Sequence, residues 1–243
     1  MFRHSVFSLP FIFIAMFVAA DGWFGWKLFF LGVLATVSAR NFAMSTSILF
    51  FITVNALLFV GVSSFINALA FKLSIPILLV LGAYTLFKRF SSLAHLILGV
   101  SLGLAPIAGA IAVSEAIPLW SLYLAIGVMF WVAGFDLLYS LQDMEFDVAH
   151  KLHSIPSKFG SKNTLRIALI FHIFTIIFWT LFVIKASLGI WAYIAIVSSV
   201  IMLGYEHYLI RKDFTKIDRA FFTVNGYLGF IFLAFIIIET IFD

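Results

Sequence analysis

Long apolar stretches constrain the fold of this chain more than any other feature of its sequence. A helix needs about 20 mostly apolar residues to cross a bilayer, because the hydrocarbon core offers no water to satisfy exposed backbone groups. Nine stretches reach or approach that length, and their approximate bounds are Val6–Ala20, Trp26–Met44, Thr46–Ala70, Ser74–Phe87, Ser92–Val113, Leu119–Tyr139, Leu165–Ile184, Leu188–Leu209 and Arg219–Ile241. The sequence therefore predicts an all-α polytopic membrane protein with about nine transmembrane helices, forming a single domain over residues 1–243.

The composition excludes the main alternatives to a membrane protein. Only 11% of the residues are charged and 64% are hydrophobic, whereas soluble domains average about a quarter charged residues. A disordered chain is excluded for the same reason, and a disulfide framework is excluded because the chain has no Cys. The expected partner of most of the surface is the lipid bilayer, and no binding to nucleic acid is expected.

The Lys and Arg residues predict the orientation of the spans. With nine spans and a cytoplasmic N-terminus, only Lys27, Lys72 and Lys185 of the 15 Lys and Arg residues fall on the outer side. Basic residues accumulate on the cytoplasmic side of membrane proteins. We therefore expect a multi-pass protein of the bacterial inner membrane with its N-terminus in the cytoplasm. The first apolar run is interpreted as an uncleaved span rather than a signal peptide, since further spans follow it.

The acidic residues are concentrated at one place on the predicted cytoplasmic side. Four of the eleven lie within twelve residues, namely Asp136, Asp143, Glu145 and Asp147. On a helix Asp143 and Asp147 share one face, and Asp136 falls near it. Paired carboxylates suit Mg²⁺, which typically bridges one or two of them to substrate phosphates. The spacing alone also fits a solvated loop whose charges only set the topology.

The residues around this cluster resemble a known motif. The segment Gly134–Asp147, followed by Leu152–Gly160, closely resembles the second aspartate-rich motif of the UbiA family of membrane prenyltransferases, particularly the 4-hydroxybenzoate polyprenyltransferase branch and the related menaquinone-pathway enzymes. Other segments that resemble the family are Phe2–Pro10, Ser38–Met44, Tyr84 with Lys88 and Arg89, and Asp218–Gly226. The resemblance implies nine helices around a central cavity open to lipid.

The resemblance also implies a reaction and a set of site residues. The reaction is the Mg²⁺-dependent transfer of a polyprenyl group from polyprenyl diphosphate to an aromatic acid such as 4-hydroxybenzoate, in ubiquinone or menaquinone biosynthesis. Asp143 and Asp147 would bind Mg²⁺, and Asp136 would lie at the cavity floor or assist the same cluster. The residues expected to contact the substrates are Asn41, Tyr84, Lys88, Arg89, Tyr139 and Lys158.

One part of the family pattern is missing. The first aspartate-rich motif, Asn-Arg-x-x-Asp-x-x-x-Asp, would follow the segment Ser38–Met44, but the 93 residues from Gly22 to Ser114 contain no Asp or Glu. We expect the second and third spans to be joined near Ser45–Ser47, and prenyl transfer to be severely reduced or absent. The alternatives are a catalytically inactive homologue that still folds, a small-molecule membrane transporter, and a scaffold without a small-molecule site.

Among the ionisable residues within predicted spans outside the acidic cluster, His172 and Glu206 carry specific expectations. We expect His172 to be a hydrogen-bonded packing residue rather than a metal ligand. Glu206 has two interpretations that the sequence leaves open, an ion pair with Arg211 or Lys212, or a place in the cavity.

Overall fold

The computed structural model describes residues 42–87 and 91–242, and every regular element in these ranges is helical. A 3₁₀ turn at Ser140–Asp143 follows the fourth helix, and a 3₁₀ turn at Phe214–Lys216 and a π-helix at Arg219–Val224 precede the last one. The α-helices are α1 Phe42–Ile66, α2 Ala68–Phe87, α3 Ala94–Ser114, α4 Leu119–Tyr139, α5 Met144–Ala149, α6 Ile155–Lys185, α7 Ile190–Lys212 and α8 Asn225–Phe242.

The described helices are those of an integral membrane protein. Six of them are long and apolar enough to cross a membrane, and Ala68–Tyr84 in α2 is a shorter apolar helix. The predicted span Val6–Ala20 lies outside the described residues. The same is true of the predicted span Trp26–Met44 as far as residue 41. The all-α membrane fold is thus confirmed, whereas the described residues do not test the number nine.

The predicted connection at Ser45–Ser47 is wrong. These residues lie inside α1, which is helical from Phe42 onward. Serine and threonine are compatible with a membrane helix because their hydroxyls hydrogen-bond to carbonyls of the preceding turn. Thr53 makes such a bond to the carbonyl of Leu49 at 2.8 Å. A short polar cluster is therefore insufficient to end a helix in this apolar sequence.

The break between α1 and α2 is at Asn67 rather than after Ala70, where the sequence had suggested it. The side-chain oxygen of Asn67 accepts a hydrogen bond from the backbone N–H of Ala70 at 2.8 Å, which caps the first turn of α2. Its side-chain nitrogen donates to the carbonyl of Ile111 at 2.8 Å. One asparagine thus ends one helix, begins the next and ties both to α3.

Small residues allow α4 to pack closely between its two main neighbours. Gly99 and Gly103 of α3 lie against the backbone of α4 at Met129 and Ala125, where an added Cβ would overlap the carbonyl oxygens. This is the close approach that a Gly-x-x-x-Gly spacing permits in membranes. On another face of α4, glycines make room for side chains of α6: Gly127 for Trp179 and Gly134 for His172.

The segment predicted as a polar loop, Gln142–Asn163, is mostly helical. It contains the end of the 3₁₀ turn, α5 and the start of α6. Ser154 begins α6 with a reciprocal cap, in which the hydroxyls of Ser154 and Ser157 accept hydrogen bonds from each other's backbone N–H groups. Gly160 interrupts α6 with φ 74°, a conformation that favours glycine. Two short helical pieces therefore hold the acidic cluster close to the ends of the long helices.

Candidate functional site

Asp136 lies near the C-terminal end of α4 and pairs with a histidine that the sequence analysis did not assign to the site. Nδ1 of His95, at the start of α3, donates a hydrogen bond to Oδ2 of Asp136 at 2.7 Å. The His95 side chain is 5% exposed and that of Asp136 is 16% exposed. Nε2 of His95 is buried without a hydrogen-bond partner in the described part of the chain. His95 thus fixes one oxygen of the carboxylate, and the Asp136 side chain remains partly exposed.

Tyr84 lies near the C-terminal end of α2. Its ring is partly buried against the hydrophobic core that α3, α4 and α6 share. The hydrogen bond between His95 and Asp136 joins the N-terminal end of α3 to the C-terminal end of α4.

Asp143 and Asp147 lie on successive turns but differ in their surroundings. Asp143 ends the 3₁₀ turn and is exposed, whereas Asp147 in α5 is completely buried. The change from 3₁₀ to α winding at Asp143 alters the angle between the side chains, because 3₁₀ helices have about 3.0 residues per turn instead of 3.6. The sequence-based expectation that Asp143 and Asp147 share one face assumed a uniform α-helix. The two side chains instead differ in exposure.

Tyr139 and Lys158 occupy the borders of this region. The Tyr139 ring, partly buried, packs against Phe221 at 4.3 Å between ring centroids and contacts Phe222 at 6.3 Å. Lys158 is exposed in the first part of α6, with its amino group 5.3 Å from the centroid of Phe159. The other substrate-contact residues suggested by the sequence, Asn41, Lys88 and Arg89, lie outside the described residues.

A further acid reaches the cluster from a distant part of the sequence. The side-chain nitrogen of Gln142 donates to Oδ1 of Asp218 at 3.1 Å. Asp218 is exposed and directly precedes the π-helix that leads into α8. In the sequence, the segment beginning at Asp218 is marked only by its resemblance to the UbiA family. The structure brings its carboxylate to the edge of the turn that carries Asp143.

The interior of the helix bundle contains a buried polar network of five residues, Trp131, His172, Glu206, His207 and Asn225. Trp131 donates to the side-chain oxygen of Asn225 at 2.9 Å, and Asn225 donates to Oε1 of Glu206 at 2.6 Å. Nδ1 of His172 lies 3.8 Å from Oε2 of Glu206 and 3.0 Å from Nε2 of His207, with which it shares a hydrogen bond. The described contacts of Glu206 are thus with this network, and His172 is hydrogen-bonded as expected.

The chemistry of the acidic cluster fits Mg²⁺ held together with a substrate. Among residues 42–87 and 91–242, no group of three or more His, Cys, Asp or Glu side chains lies close enough to hold a metal ion without other ligands. Mg²⁺ keeps several waters and is usually bound through one or two carboxylates plus substrate phosphates. Asp143 and Asp147 supply hard oxygen donors of that kind. The donor set therefore suits a metal that arrives with a diphosphate.

Comparisons with known proteins identify relatives of this chain. Residues 45–236 match the model of the UbiA prenyltransferase family. The chain is 28% identical over 167 residues to the 4-hydroxybenzoate octaprenyltransferase of Cupriavidus pinatubonensis, covering 68% of this chain and 57% of that protein. It is 27% identical over 180 residues to the protein of the same name from Francisella tularensis subsp. novicida, covering 73% and 62%. The chain thus spans less than two thirds of the length of these curated relatives.

A solved structure has the same fold. The apo structure of a UbiA homolog from Aeropyrum pernix K1 superposes with a TM-score of 0.77 at 23% sequence identity, covering 98% of both chains. At this identity the similarity concerns the fold. It extends the agreement from the family match to the arrangement of the helices.

Proposed function

Because this chain belongs to the UbiA prenyltransferase family, we propose that it transfers a polyprenyl group from polyprenyl diphosphate to an aromatic acid such as 4-hydroxybenzoate, in ubiquinone or menaquinone biosynthesis. The observation that carries this proposal is the acidic segment Asp136–Asp147 at one end of the helix bundle. It stands in a chain that is similar in sequence to 4-hydroxybenzoate octaprenyltransferases.

Mg²⁺ is the proposed cofactor, with Asp143 and Asp147 as its protein ligands. When bound, the metal would act as a Lewis acid on the diphosphate leaving group, so that the allylic carbon–oxygen bond breaks. The exposed carboxylate of Asp143 is accessible to an entering metal–diphosphate complex, whereas the carboxylate of Asp147 is buried in α5. Lys158, Lys88 and Arg89 are the proposed cations for the diphosphate oxygens.

The aromatic acceptor is proposed to bind among the aromatic side chains at the ends of α2 and α4. Tyr84 and Tyr139 would border it, Asp136 would face it, and Asn41 is a further proposed contact. The acceptor attacks the allylic carbocation that remains when diphosphate leaves, and a ring proton is then lost. Because water would quench that carbocation, an apolar surround protects the reaction.

The proposed rate is low, because the first aspartate-rich motif is absent. Neither α1 nor α2 contains an acidic residue. Any metal held from that side would therefore lack carboxylate ligands, and part of the diphosphate charge would remain unneutralised. Loss of a charge-stabilising group at a reaction centre typically reduces the rate by about 100-fold or more. We expect turnover to be lower by at least that factor than in a family member with both motifs.

The proposed setting is the bacterial inner membrane, with a single domain and a cytoplasmic N-terminus. The asymmetry of Lys and Arg between the two sides of the predicted topology supports this orientation. The acidic segment would then face the cytoplasm.

Prenyl transfer by the purified full chain tests the proposal. The protein in liposomes would be incubated with Mg²⁺, labelled polyprenyl diphosphate and 4-hydroxybenzoate, and the prenylated acid would be quantified. We expect slow product formation that EDTA abolishes and that Asp143→Ala reduces below detection. Glu145→Ala is the matched control, because Glu145 is an exposed acid of α5 with no assigned role.

Three results would contradict parts of this proposal. Equal product from the unmodified chain and from Asp143→Ala would eliminate the role of Asp143. Turnover equal to that of a relative with both motifs would overturn the expected low rate. No product, from a chain that remains folded and binds the diphosphate, would overturn transfer itself and favour the catalytically inactive homologue.

A further inference from the structure

The outward side of α7 changes in chemistry along the helix. Val197, Ile201, Tyr205 and Tyr208 are each between 45% and 66% exposed, and the exposed Lys212 follows them. Successive spacings of four, four, three and four residues place these five side chains on one side of a helix. This row, called here the α7 stripe, therefore runs from aliphatic through aromatic to basic residues, in the order that a lipid molecule has from its acyl chains to a charged headgroup.

The two tyrosines mark the level at which the polar edge of the bilayer begins. Tyrosine is enriched at membrane interfaces because its ring is apolar and its hydroxyl is polar. Tyr205 and Tyr208 are one turn apart on the α7 stripe, and both are largely exposed. They therefore lie where the glycerol and ester groups of a phospholipid would contact the helix.

Two cations stand at the basic end of the α7 stripe. Arg211 and Lys212 are exposed in the last turn of α7. The amino group of Lys212 lies 5.8 Å from the centroid of the Tyr208 ring, which is within the range of a cation–π contact. This contact holds the Lys212 ammonium beside the lipid-facing row, at the level expected for a lipid phosphate.

The described acids near these cations have other partners. Asp213 forms an ion pair with Lys216 at 3.9 Å, and Glu206, the acid within α7, contacts the interior polar network. Within residues 42–87 and 91–242, no ion pair involves Arg211 or Lys212. The positive charge at this edge is therefore available to an anion outside the protein.

Gly204 adds a recess to the same side of the helix. It is exposed, three residues after Ile201 and four before Tyr208, and a Cβ added to it would meet no atom within 4 Å. Because its larger neighbours on the stripe project outward, the missing side chain leaves room against the backbone of α7. A flexible acyl chain is suited to fill that room.

We propose that the α7 stripe binds one anionic phospholipid, with the phosphate at Arg211 and Lys212, the glycerol region beside Tyr205 and Tyr208, and an acyl chain over Gly204. Each Lys or Arg near an anionic lipid contributes about fivefold to the affinity. The preference for an anionic over a zwitterionic lipid is therefore at least about tenfold at this site. The tyrosines and the recess contact the lipid beyond its phosphate, so free phosphate is not the ligand.

Native mass spectrometry measures this preference without requiring turnover. The full chain is released from nanodiscs that contain equal amounts of phosphatidylglycerol and phosphatidylcholine, and the lipid that stays bound is identified. We expect one retained phosphatidylglycerol in at least about tenfold preference over phosphatidylcholine. The double variant Arg211→Gln with Lys212→Gln should reduce this ratio at least fivefold. The matched control is Lys162→Gln with Arg166→Gln, which removes two exposed cations from α6 at the same end of the bundle.

A second variant tests the acyl-chain contact at constant charge. Gly204→Leu fills the recess, so we expect it to retain at least threefold less phosphatidylglycerol than the unmodified chain. An excess of inorganic phosphate should displace little of the bound lipid. Displacement by phosphate with no effect of Gly204→Leu would show a bare anion site and overturn the assignment to a phospholipid.

The comparison of the two double variants decides between a specific site and general charge. Equal losses of preference in the α6 and α7 double variants would attribute the selectivity to the total charge of this end and overturn the site. Cations in the last turn of a helix also complement the helix dipole. If the α7 double variant lost thermal stability but kept the lipid ratio, that role alone would explain Arg211 and Lys212, and the proposal would be wrong.

Discussion

At the scale of single residues, the polar side chains inside the helix bundle carry most of the specific information. Glu206 is 1% exposed in α7, yet its described contacts are hydrogen-bonding groups from two other helices, Asn225 of α8 and His172 of α6. An acid buried without such partners would be very costly. Glu206 therefore links α6, α7 and α8 through polar contacts, which fix the relative positions of these helices more specifically than apolar contacts do.

Replacing Glu206 tests that role. In Glu206→Leu the buried Asn225 amide loses its 2.6 Å hydrogen bond and keeps only the 3.4 Å bond to the carbonyl of Ala220, and we expect the free energy of unfolding to fall by about 2 kcal/mol. Glu206→Gln keeps a carbonyl acceptor, so its cost should stay below about 1 kcal/mol. Unfolding in mixed micelles with increasing denaturing detergent measures both values. Equal losses in the two variants would show that the charge of Glu206, and not its hydrogen bond, supports the packing.

The sequence predicted Asp136 but missed His95, for a physical reason. A lone acid at the end of an apolar span stands out because it is costly there. His95 lies 41 residues earlier, beyond any helical spacing that relates side chains on one face. Only the packing of α3 against α4, which Gly99 and Gly103 permit, brings the pair together.

At the scale of elements, α8 caps α7 with a side chain. Glu239 is 2% exposed near the end of α8, and its carboxylate accepts hydrogen bonds from the backbone N–H groups of Gly189, Trp191 and Ala192. The last two distances are 2.9 and 3.2 Å. The first N–H groups of a helix have no partners within it and attract negative charge. Glu239 of α8 thus caps the N-terminus of α7.

Glu239→Gln should destabilise the protein by about 2 kcal/mol, because the amide group replaces one accepting oxygen with a donor that faces backbone N–H groups. The same substitution at Glu115 is the matched control. Glu115 is exposed at the end of α3, and surface changes of this kind usually alter stability by less than about 0.5 kcal/mol. Thermal unfolding in detergent compares the two variants. A loss shared by both would attribute the effect to the amide substitution itself instead of the cap.

Comparing the predicted and observed bounds of the helices shows which sequence signals were sufficient to locate a helix end. The prediction Leu119–Tyr139 coincides with α4, where Pro118 marks the start and a polar residue follows the apolar run. Gln142–Asn163 was predicted to be a loop because it is polar, yet short amphiphilic turns at the membrane surface need no apolar run to be helical. The break after α1 lies at Asn67, whose side chain donates to the carbonyl of Ile111 in α3. No local sequence pattern reveals that contact.

At the scale of the whole molecule, the two ends of the bundle differ in chemistry. One end gathers Asp136, the turn bearing Asp143, and Asp218, whose carboxylate meets that turn through Gln142. The other end gathers the α6–α7 connection and Glu239, joined through the N-terminus of α7. The concentration of acids between Asp136 and Asp147 made this difference predictable in outline. Which particular side chains pair with each other could be seen only from the packed helices.

The orientation of these two ends in the membrane is open to a direct test, because the chain has no native Cys. Single cysteines at Glu145 and at Ser187 would occupy exposed positions, the first in α5 before the start of α6 and the second just after the C-terminal end of α6. Neither substitution removes a Lys or Arg, so the charge asymmetry that sets the topology is preserved. In spheroplasts treated with a membrane-impermeant maleimide, we expect Ser187→Cys to be labelled at once and Glu145→Cys only after the membrane is permeabilised. The reverse pattern would place the acidic cluster outside the cell, away from cytoplasmic polyprenyl diphosphate, and would contradict both the predicted topology and the proposed function.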